Sequence, residues 1–262
     1  MRIWTAGLLL LGNVTTGVAA VEVTIPPLPD NAYQDPWLDA RYDDERDPLE
    51  GLNRAIFRFN FNFGDQYVVR PLTVGWMTVV PEFGRIGINN FLYNLEDPAS
   101  AVNHLLQLKF YDAASSATRF VTNTTVGFLG FVDVADMAGL PRANEEFEEV
   151  LGHYGVGTGP YLMMPIYGPA TPRSLVGDLV DDLVPPLSLL NFWQSAGKWA
   201  LMGVEKRAEA MPQEGVIFNA LDPYAFSRNV YFEHVEWQVY DGQLPTSTVD
   251  PAVEDYLDEI DL

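Results

Sequence analysis

One stretch of the chain, Leu49–Arg70, limits the possible folds because its apolar residues fall on two different faces of a helix. One stripe at helical spacing consists of Leu52, Ile56, Phe59, Phe63 and Tyr67. Phe57 and Phe61 form a second stripe on another face. A helix with two apolar faces has to cover both of them. We therefore expect one face to meet the protein core and the other to meet lipid or a second helix.

The centre of this stretch also permits a different interpretation. Residues Phe57–Phe63 alternate aromatic and polar side chains, which is the pattern of a half-buried strand. Short apolar runs do not by themselves separate the two elements, so a strand stays open here beside the helix.

Further along the chain, Asp97-Pro98, Thr171-Pro172 and Asp222-Pro223 have the form of a helix cap followed by proline in the first turn. Pro71 and Pro81 are expected to bracket a short connecting segment. Several more helical segments follow, against one doubtful strand. The sequence therefore predicts an all-α fold.

The segment Gly127–Phe131 combines two flexible glycines with three large apolar side chains. A loop rarely exposes such groups to water. Two alternatives remain from the residues alone: the segment folds under the domain, or it dips into lipid.

Composition narrows the class of partner. The chain has 36 acidic and 15 basic residues, a formal net charge of −21, so phosphates of nucleic acids would be repelled and nucleic-acid binding is not expected. It has no cysteine, which excludes disulfides and thiolate chemistry. No segment after the N-terminus has the roughly 18 uninterrupted apolar residues of a spanning helix.

The chain divides into four predicted regions. Residues 1–20 read as a cleavable signal peptide, with Arg2, the apolar run Leu8–Leu11 and the small residues Val18–Ala20 in the required order. Residues 21–46 form an extension rich in Pro and Asp, 47–242 a helical domain, and 243–262 an acidic tail that is expected to be disordered.

Motifs for catalysis are missing from the sequence. It has no Gly-x-Ser-x-Gly elbow, zinc-binding His-Glu-x-x-His or phosphate-binding loop, and the Gly-rich string Gly155–Pro160 does not match dinucleotide spacing. The three histidines, His104, His153 and His234, lie far apart. We expect no enzyme activity, cofactor or metal, and we expect His104 to be a hydrogen-bonded core residue.

Several strings, taken in order over about Asp47–Tyr240, resemble the MlaA/VacJ family of outer-membrane phospholipid-transport proteins. They are Asp47-Pro48-Leu49-Glu50-Gly51-Leu52-Asn53-Arg54, Arg70-Pro71, Asn89-Asn90-Phe91, Asn94-Leu95-Glu96-Asp97-Pro98, Arg119-Phe120, Asn123-Thr124, Gly127 to Asp133-Val134-Ala135, Leu151-Gly152-His153-Tyr154-Gly155-Val156-Gly157 with Gly159-Pro160-Tyr161, Asp222-Pro223-Tyr224 and Tyr231-Phe232. No single string is catalytic, but the ordered set is specific.

The resemblance implies a ring-like bundle of amphipathic helices lying in the inner leaflet of the outer membrane. It implies trimeric porin partners and an amphipathic channel that takes misplaced phospholipids from the outer leaflet to a periplasmic carrier protein. Candidate residues for the lipid path are Asn60, Phe61, Asn62 and Phe63. The family places a controlling hairpin near the pore, and the candidate gate residues at that position are Gly127, Phe128, Leu129, Gly130 and Phe131.

One departure from the family concerns the anchor. Its members are commonly lipoproteins acylated on a cysteine, whereas this chain has none and Val18–Ala20 resembles an ordinary cleavage site. We therefore expect the fold itself, a porin, or both to hold the membrane from the periplasmic side. A soluble periplasmic scaffold or binding protein without a lipid channel is the alternative, and a phospholipid-ester hydrolase ranks third.

Overall fold

A computed structural model describes residues 44–244 of the chain. The predicted signal peptide and most of the predicted extension and acidic tail lie outside the described residues. The α-helices in the described part are α1 (Glu50–Arg58), α2 (Arg70–Val79), α3 (Glu82–Asn94), α4 (Asp97–Leu106), α5 (Phe110–Thr125), α6 (Val134–Met137), α7 (Phe147–His153), α8 (Pro172–Asp181), α9 (Phe192–Ala210), α10 (Glu214–Phe218) and α11 (Pro223–Val239).

The first helix is longer than predicted. A π-helical segment, Phe59–Val69, joins α1 to α2, so that the backbone is helical without interruption from residue 50 to residue 79. The expected connecting segment after Pro71 is therefore wrong. The π segment ends with a bond from Arg70 N to Asp65 O, and Pro71 falls in the first turn of α2, where a missing N–H is tolerated.

The strand interpretation of Phe57–Phe63 is wrong, because these residues lie in the long helix. The described residues contain one small sheet, in which β1 (Leu162–Met164) pairs antiparallel with β2 (Gly168–Ala170). Two short 3-10 turns, Leu187–Leu189 and Met211–Gln213, complete the regular structure. The predicted all-α class is confirmed.

Two of the three predicted caps form. The Thr171 side chain accepts from Ser174 N in a capping box, and the Asp222 side chain accepts from Ala225 N. Asp97 differs, because the N-cap of α4 is Glu96 and the Asp97 carboxylate caps nothing. Asp97 is buried, at 3.6 Å from Arg142 Nε. The Asp97 carboxylate pairs instead with Arg142, which is partly buried, and with Arg119, which is fully buried.

The helices pack in a closed circuit, which agrees with the ring-like bundle. Helix α9 contacts α3, α3 contacts α4, α4 contacts α7, α7 contacts α11, and α11 contacts α10. The turn Met211–Gln213 connects α10 back to α9 and closes the circuit. The hydrophobic core lies at one side of it, between the long helix, β1, α10 and α11. Its buried members are Phe57, Phe61, Tyr161, Met163, Ala210, Ile217, Phe218, Tyr224, Tyr231, Phe232 and Val235.

Candidate functional site

The two apolar stripes of the long helix have opposite surroundings. Phe57 and Phe61 are 2% and 6% exposed, and the Phe61 ring lies 5.2 Å from that of Phe218 in the core. Phe59 and Phe63 are 47% and 54% exposed, and Tyr67 is 65% exposed. The predicted two-faced helix thus buries one stripe and leaves the other uncovered within the described chain.

A buried ion cluster fixes the orientation of this helix. Asp65 accepts from Arg207 Nε of α9 at 2.8 Å, and Arg207 also donates to Glu214 at 2.7 Å. Burial lowers the pKa of the Arg207 guanidinium, but hydrogen bonds to Asp65 and Glu214 outweigh it and hold that pKa above its usual range. The cluster prevents the helix from rolling its exposed stripe into the core.

Neither Asp65 nor Arg207 belongs to a motif that points to a site in the sequence. A signal was available, because Asp65 is the one acidic residue between Glu50 and Glu82. A lone carboxylate between two apolar stripes is expected to be paired, since burial of an unpaired charge is costly.

Two asparagines attach the hairpin to the long helix. The Asn53 amide donates to Tyr161 O at 3.0 Å and accepts from Met163 N at 2.9 Å. The Asn60 amide repeats this with Met164 O and Ile166 N, both at 2.8 Å. Each side chain therefore takes the place of a neighbouring strand at the free edge of β1. The candidate lipid-path residue Asn60 has both amide atoms engaged in this attachment.

The other candidate residues on the helix are distributed over both faces. Phe61 is in the core and Phe63 is in the exposed stripe. The Asn62 Oδ1 atom is buried and has no hydrogen-bond partner among residues 44–244. Three of the four, Asn60, Phe61 and Phe63, line one apolar cavity, and Asn62 does not.

An apolar cavity of about 160 Å³ lies along the π segment. Its walls include Phe59, Phe63 and Val68 of the helix and Ile166 and Tyr167 of the hairpin turn. Ile166 has a φ of 65°, which is unusual for a β-branched residue, and it is 67% exposed. The Asn60 bond to Ile166 N holds the hairpin turn beside the helix at this cavity.

The candidate gate forms a turn with three successive residues in the left-handed region. The φ angles are 53° at Phe128, 62° at Leu129 and 94° at Gly130. Such angles cost of order 1–3 kcal/mol at non-glycine residues, and they occur mainly where function requires them. Phe128 is 81% exposed and Leu129 is 62% exposed. The turn therefore projects two large apolar groups away from the protein.

The base of this turn is packed closely. A Cβ atom at Gly87 would lie 2.2–2.4 Å from ring atoms of Phe131, so the Phe131 ring occupies the space above that glycine. A side chain at Gly130 would meet Asn94, whose amide donates to Thr124 Oγ1 at 2.9 Å. Of the two sequence alternatives, Phe131 packs against the domain, whereas Phe128 and Leu129 point outward.

A second cavity of about 240 Å³ lies between α4, α8 and α9. We name it the polar cavity for its charged lining residues, although it is also lined by Leu187, Leu190, Trp199 and Met202. Tyr167 borders it and also borders the apolar cavity. The Tyr167 hydroxyl donates a hydrogen bond to Asp178, which lines the polar cavity. Neither Tyr167 nor Asp178 lies in a motif, so the sequence does not predict their role here.

Large apolar side chains are exposed on other elements too. Examples are Val79 at 80%, Phe83 at 73% and Trp193 at 80%. Within residues 44–244 no helix is both long enough and apolar enough to cross a bilayer. The exposed apolar surface is thus spread over several short or amphipathic elements.

Residues that could bind a metal ion do not converge in the described part of the chain. No three His, Cys, Asp or Glu residues there are placed to hold a metal ion. His104 is 2% exposed, with its ring nitrogens 3.2 Å from Ala143 O and 3.5 Å from the Glu145 carboxylate. It is the hydrogen-bonded core residue that the sequence predicts.

The strings that carry the family resemblance meet in space. Arg54 of the first string donates to Asp222 of the late Asp-Pro-Tyr string at 2.6 Å. Asp47 accepts from Asn53 at 2.7 Å, from Arg228 at 3.1 Å and from the Tyr224 hydroxyl. These motif residues therefore join the start of the helical domain to α11.

Comparison with known proteins agrees with this geometry. The MlaA lipoprotein family matches residues 45–238. The chain is 44% identical over 220 residues to the intermembrane phospholipid transport system lipoprotein MlaA of Shigella flexneri, covering 82% of this chain and 88% of that protein. The protein of the same name from Escherichia coli K12 is 43% identical, with the same shares covered.

A solved structure is also similar. It is described as the structural basis for maintenance of bacterial outer membrane lipid asymmetry, and it superimposes with a TM-score of 0.71 at 46% identity, covering 74% of this chain and 98% of that one. The family match spans well over half of the chain, and both relatives exceed 40% identity across most of their length. The chain therefore belongs to the MlaA lipoprotein family.

Proposed function

We propose that this protein removes misplaced phospholipids from the outer leaflet of the outer membrane and passes them through an amphipathic channel to a periplasmic carrier protein. Its helical domain lies in the inner leaflet, on the periplasmic side, with its exposed apolar residues in the acyl region. The observation that carries the proposal is the uncovered stripe Phe59, Phe63 and Tyr67 on a helix whose opposite stripe is buried.

Apolar contact is the force that would hold this chain in a membrane. With a formal net charge of −21, the protein is repelled by anionic lipid head groups. An amphipathic helix can instead insert its apolar face about 5–10 Å into a leaflet, and the gain scales with the apolar area buried. Attachment should therefore increase little at low salt and should persist at high salt.

The packing circuit supports a route through the protein. A lipid that crosses a leaflet needs a polar environment for its head group and an apolar one for its chains. The polar cavity is bordered by α4, α8 and α9, and the apolar cavity lies beside the exposed stripe. No covalent step is included in this function, and the energy for directional transfer would come from other components.

The turn Phe128–Gly130 is proposed as the gate of this route. Its left-handed backbone and packed base hold Phe128 and Leu129 outward in a defined position, which suits contact with lipid at an entrance. Trimeric porins are the proposed partners in the membrane. Photo-crosslinking from Phe128 should give lipid adducts and porin adducts, whereas crosslinks to neither would remove the gate and the porin from the proposal.

Membrane fractionation and vesicle binding test the proposal directly. The purified chain should bind neutral phosphatidylcholine vesicles in about 0.5 M salt. At roughly this concentration, interactions between surface charges are screened. The variant Phe59→Ser/Phe63→Ser should bind much more weakly. A matched control, Glu82→Gln/Asp136→Asn, changes two exposed polar residues and should bind as the unchanged protein does.

The cellular counterpart is outer-membrane asymmetry. Cells that depend on this chain should accumulate surface phospholipid when it carries Phe59→Ser/Phe63→Ser, but not with the control pair. If a high-salt wash instead removes the unchanged protein from outer membranes, and asymmetry is normal without it, the alternative of a soluble periplasmic scaffold takes the place of this function.

A further inference from the structure

Two cavities, one with many charged lining residues and one almost wholly apolar, meet at one side chain. The polar cavity of about 240 Å³ and the apolar cavity of about 160 Å³ are both bordered by Tyr167. The Tyr167 hydroxyl is bonded to Asp178 on the polar side, and the residue lies beside Ile166 on the apolar side. Each cavity alone is smaller than the roughly 300–1,000 Å³ of pockets that enclose a whole small ligand.

The polar cavity carries an excess of negative charge. Its acidic members are Glu96, Glu145, Glu146, Asp178, Asp181 and Asp182. Two lysines, Lys198 and Lys206, also line it, and Lys198 Nζ lies 2.6 Å from Glu96 Oε1. A cleft lined mainly by one sign of charge concentrates the opposite charge. The cavity is thus suited to a cation with an anion next to it, rather than to an anion alone.

Asp182 is an exposed carboxylate among the residues that line the polar cavity, and it has no partner from the described part of the protein. It accepts no hydrogen bond and forms no ion pair within residues 44–244, in contrast to Glu145, which receives bonds from Gln107 and Lys109. Partial burial raises the pKa of the Asp182 carboxyl; Lys198 acts in the opposite direction, and Asp178 and Glu96 raise it further. An ammonium group beside Asp182 would relieve this repulsion.

The apolar cavity has the properties of a site for part of a hydrocarbon chain. Three of its walls are the rings of Phe59, Phe61 and Phe63, and Val68 and Val69 close the helix side. It is continuous with the exposed stripe, since Phe59 and Phe63 belong to both. A chain that leaves this cavity therefore continues along an apolar surface instead of entering water.

From these observations we propose that the two cavities form one bipartite site for an amine-bearing, zwitterionic phospholipid. The ammonium and phosphate of the head group occupy the polar cavity, near Asp182 and Lys198 respectively. One acyl chain enters the apolar cavity along the π segment. Tyr167 is the positioning residue at the division between them. This inference rests on the proposed transport function and adds a head-group preference to it.

Two photoreactive phosphatidylethanolamine probes test the division, one with its diazirine in the acyl chain and one with it on the head group. With the full chain in detergent, the chain probe should label peptides of Phe59–Val69 and Ile166, and the head-group probe should label α8 and the first half of α9. Unlabelled phosphatidylethanolamine should compete with both probes and reduce their labelling. Identical labelling patterns for the two probes, or labelling restricted to the exposed residues Val79 and Phe83 outside both cavities, would overturn the bipartite site.

The preference is measured by competition at about 0.5 M salt, where charges more than roughly 4 Å apart are screened. Phosphatidylethanolamine should compete about tenfold better than phosphatidylglycerol, the ratio expected for one additional partly solvated ion pair. Asp182→Asn should remove most of that ratio. The matched variant Glu82→Gln, which alters an exposed carboxylate outside both cavities, should keep it. Equal competition by the two lipids would contradict the preference.

Tyr167→Ala tests the role of the dividing side chain. In this variant the chain probe should also label α8, because the wall between the cavities is lost. Tyr111→Ala removes an equally aromatic but 77% exposed residue and should leave the pattern unchanged. If Tyr167→Ala, folded by circular dichroism, labels as the unchanged protein does, Tyr167 does not divide the site.

The outcome for the bipartite site is separate from that for the proposed function. A chain that restores outer-membrane asymmetry but binds the two lipids equally would retain the transport function and lose this inference. A chain that fails to restore asymmetry in cells lacking it would lose the transport function, whatever its lipid preference in detergent.

Discussion

The two aromatic stripes of the long helix consist of the same residue type, yet they have opposite surroundings. Phe57 and Phe61 pack into the core, while Phe59 and Phe63, two residues further along in each case, are about half exposed. The difference does not come from hydrophobicity. It comes from what the rest of the chain places next to each face: α10, α11 and β1 cover one, and within residues 44–244 the other remains open. The exposed stripe is an apolar surface on an otherwise acidic protein. Such a surface indicates contact with something other than water.

Truncation of a side chain in the buried stripe should have the largest effect on stability. Phe57→Ala should lower the free energy of unfolding by about 3–5 kcal/mol, because it removes a buried ring and leaves a cavity in the core. Phe59→Ala is the matched change on the exposed stripe and should alter it by less than about 1 kcal/mol. Urea denaturation followed by circular dichroism in one detergent measures both. Equal losses would mean that the two stripes are equally buried.

The second test removes the charge that orients the helix. Asp65→Ala leaves the Arg207 guanidinium, which is fully buried, without its bidentate partner, so it should cost about 3–5 kcal/mol. Asp241→Asn breaks the ion pair from Asp241 to Lys109, but Asp241 is 55% exposed in its side chain, and the cost should stay below about 1 kcal/mol. A small effect for Asp65→Ala would show that packing alone selects the buried stripe.

A third test uses pH to change stability without altering either stripe. Burial raises the pKa of the Asp97 carboxyl to about 6, with Arg142 and Arg119 offsetting only part of the effect. The folded state therefore holds the Asp97 proton more tightly than the unfolded state does. The contribution of Asp97 to the free energy of unfolding therefore falls by up to roughly 3 kcal/mol as the pH rises from about 4 to about 6. Above about pH 6 this contribution is constant.

Asp97→Asn is the control for this pH dependence, since an amide does not ionise in that range. The variant should show a flatter profile of unfolding free energy between pH 4 and pH 7. Binding to neutral vesicles, which depends on the exposed stripe, should not follow the Asp97 titration in the unchanged protein. A binding curve that falls with the same midpoint would couple the exposed surface to the buried ions.

The smallest expected effect on stability concerns the gate turn. Phe128→Asn should raise the free energy of unfolding by about 1 kcal/mol, because asparagine tolerates the left-handed φ of 53° better than phenylalanine does. The same change should impair outer-membrane asymmetry, as it removes an exposed apolar group. Phe131→Asn serves as the contrast, since it should destabilise the packing on Gly87. Lower stability for Phe128→Asn would show that its ring is covered by the fold.

Much of this protein was predictable because local chemistry determines it. The apolar spacing predicts the long helix and its two faces, and Thr171 and Asp222 act as caps because a side-chain oxygen next to the free N–H groups of a first turn suffices. Local rules failed where a residue had a distant partner. Asp97 resembles a cap, but its carboxylate instead pairs with the buried Arg119 and the partly buried Arg142 from other segments.

The candidate site divides in the same way. The residues Phe57–Phe63 and Gly127–Phe131 stand out in the sequence as apolar groups with no obvious cover. The sequence does not show which of these side chains point into the core and which point outward. Which stripe of a helix is buried depends on elements far away in the chain. Tyr167 and Asp182 carry no motif, since a cavity wall needs only a suitable shape and charge at the place where several segments meet.

The sequence by itself thus determined the helical class, the starts of three helices, the acidity that rules against attraction to anionic surfaces, and the family. Only the tertiary structure decided that Phe57 and Phe61 are core while Phe59 and Phe63 are open, that the Asn60 amide holds the hairpin, and that Tyr167 borders two cavities. The physical reason is the distance along the chain over which each interaction acts. Helix propensity and capping act over about one turn, whereas burial and ion pairing join residues such as Asp65 and Arg207, which meet only after the chain has folded.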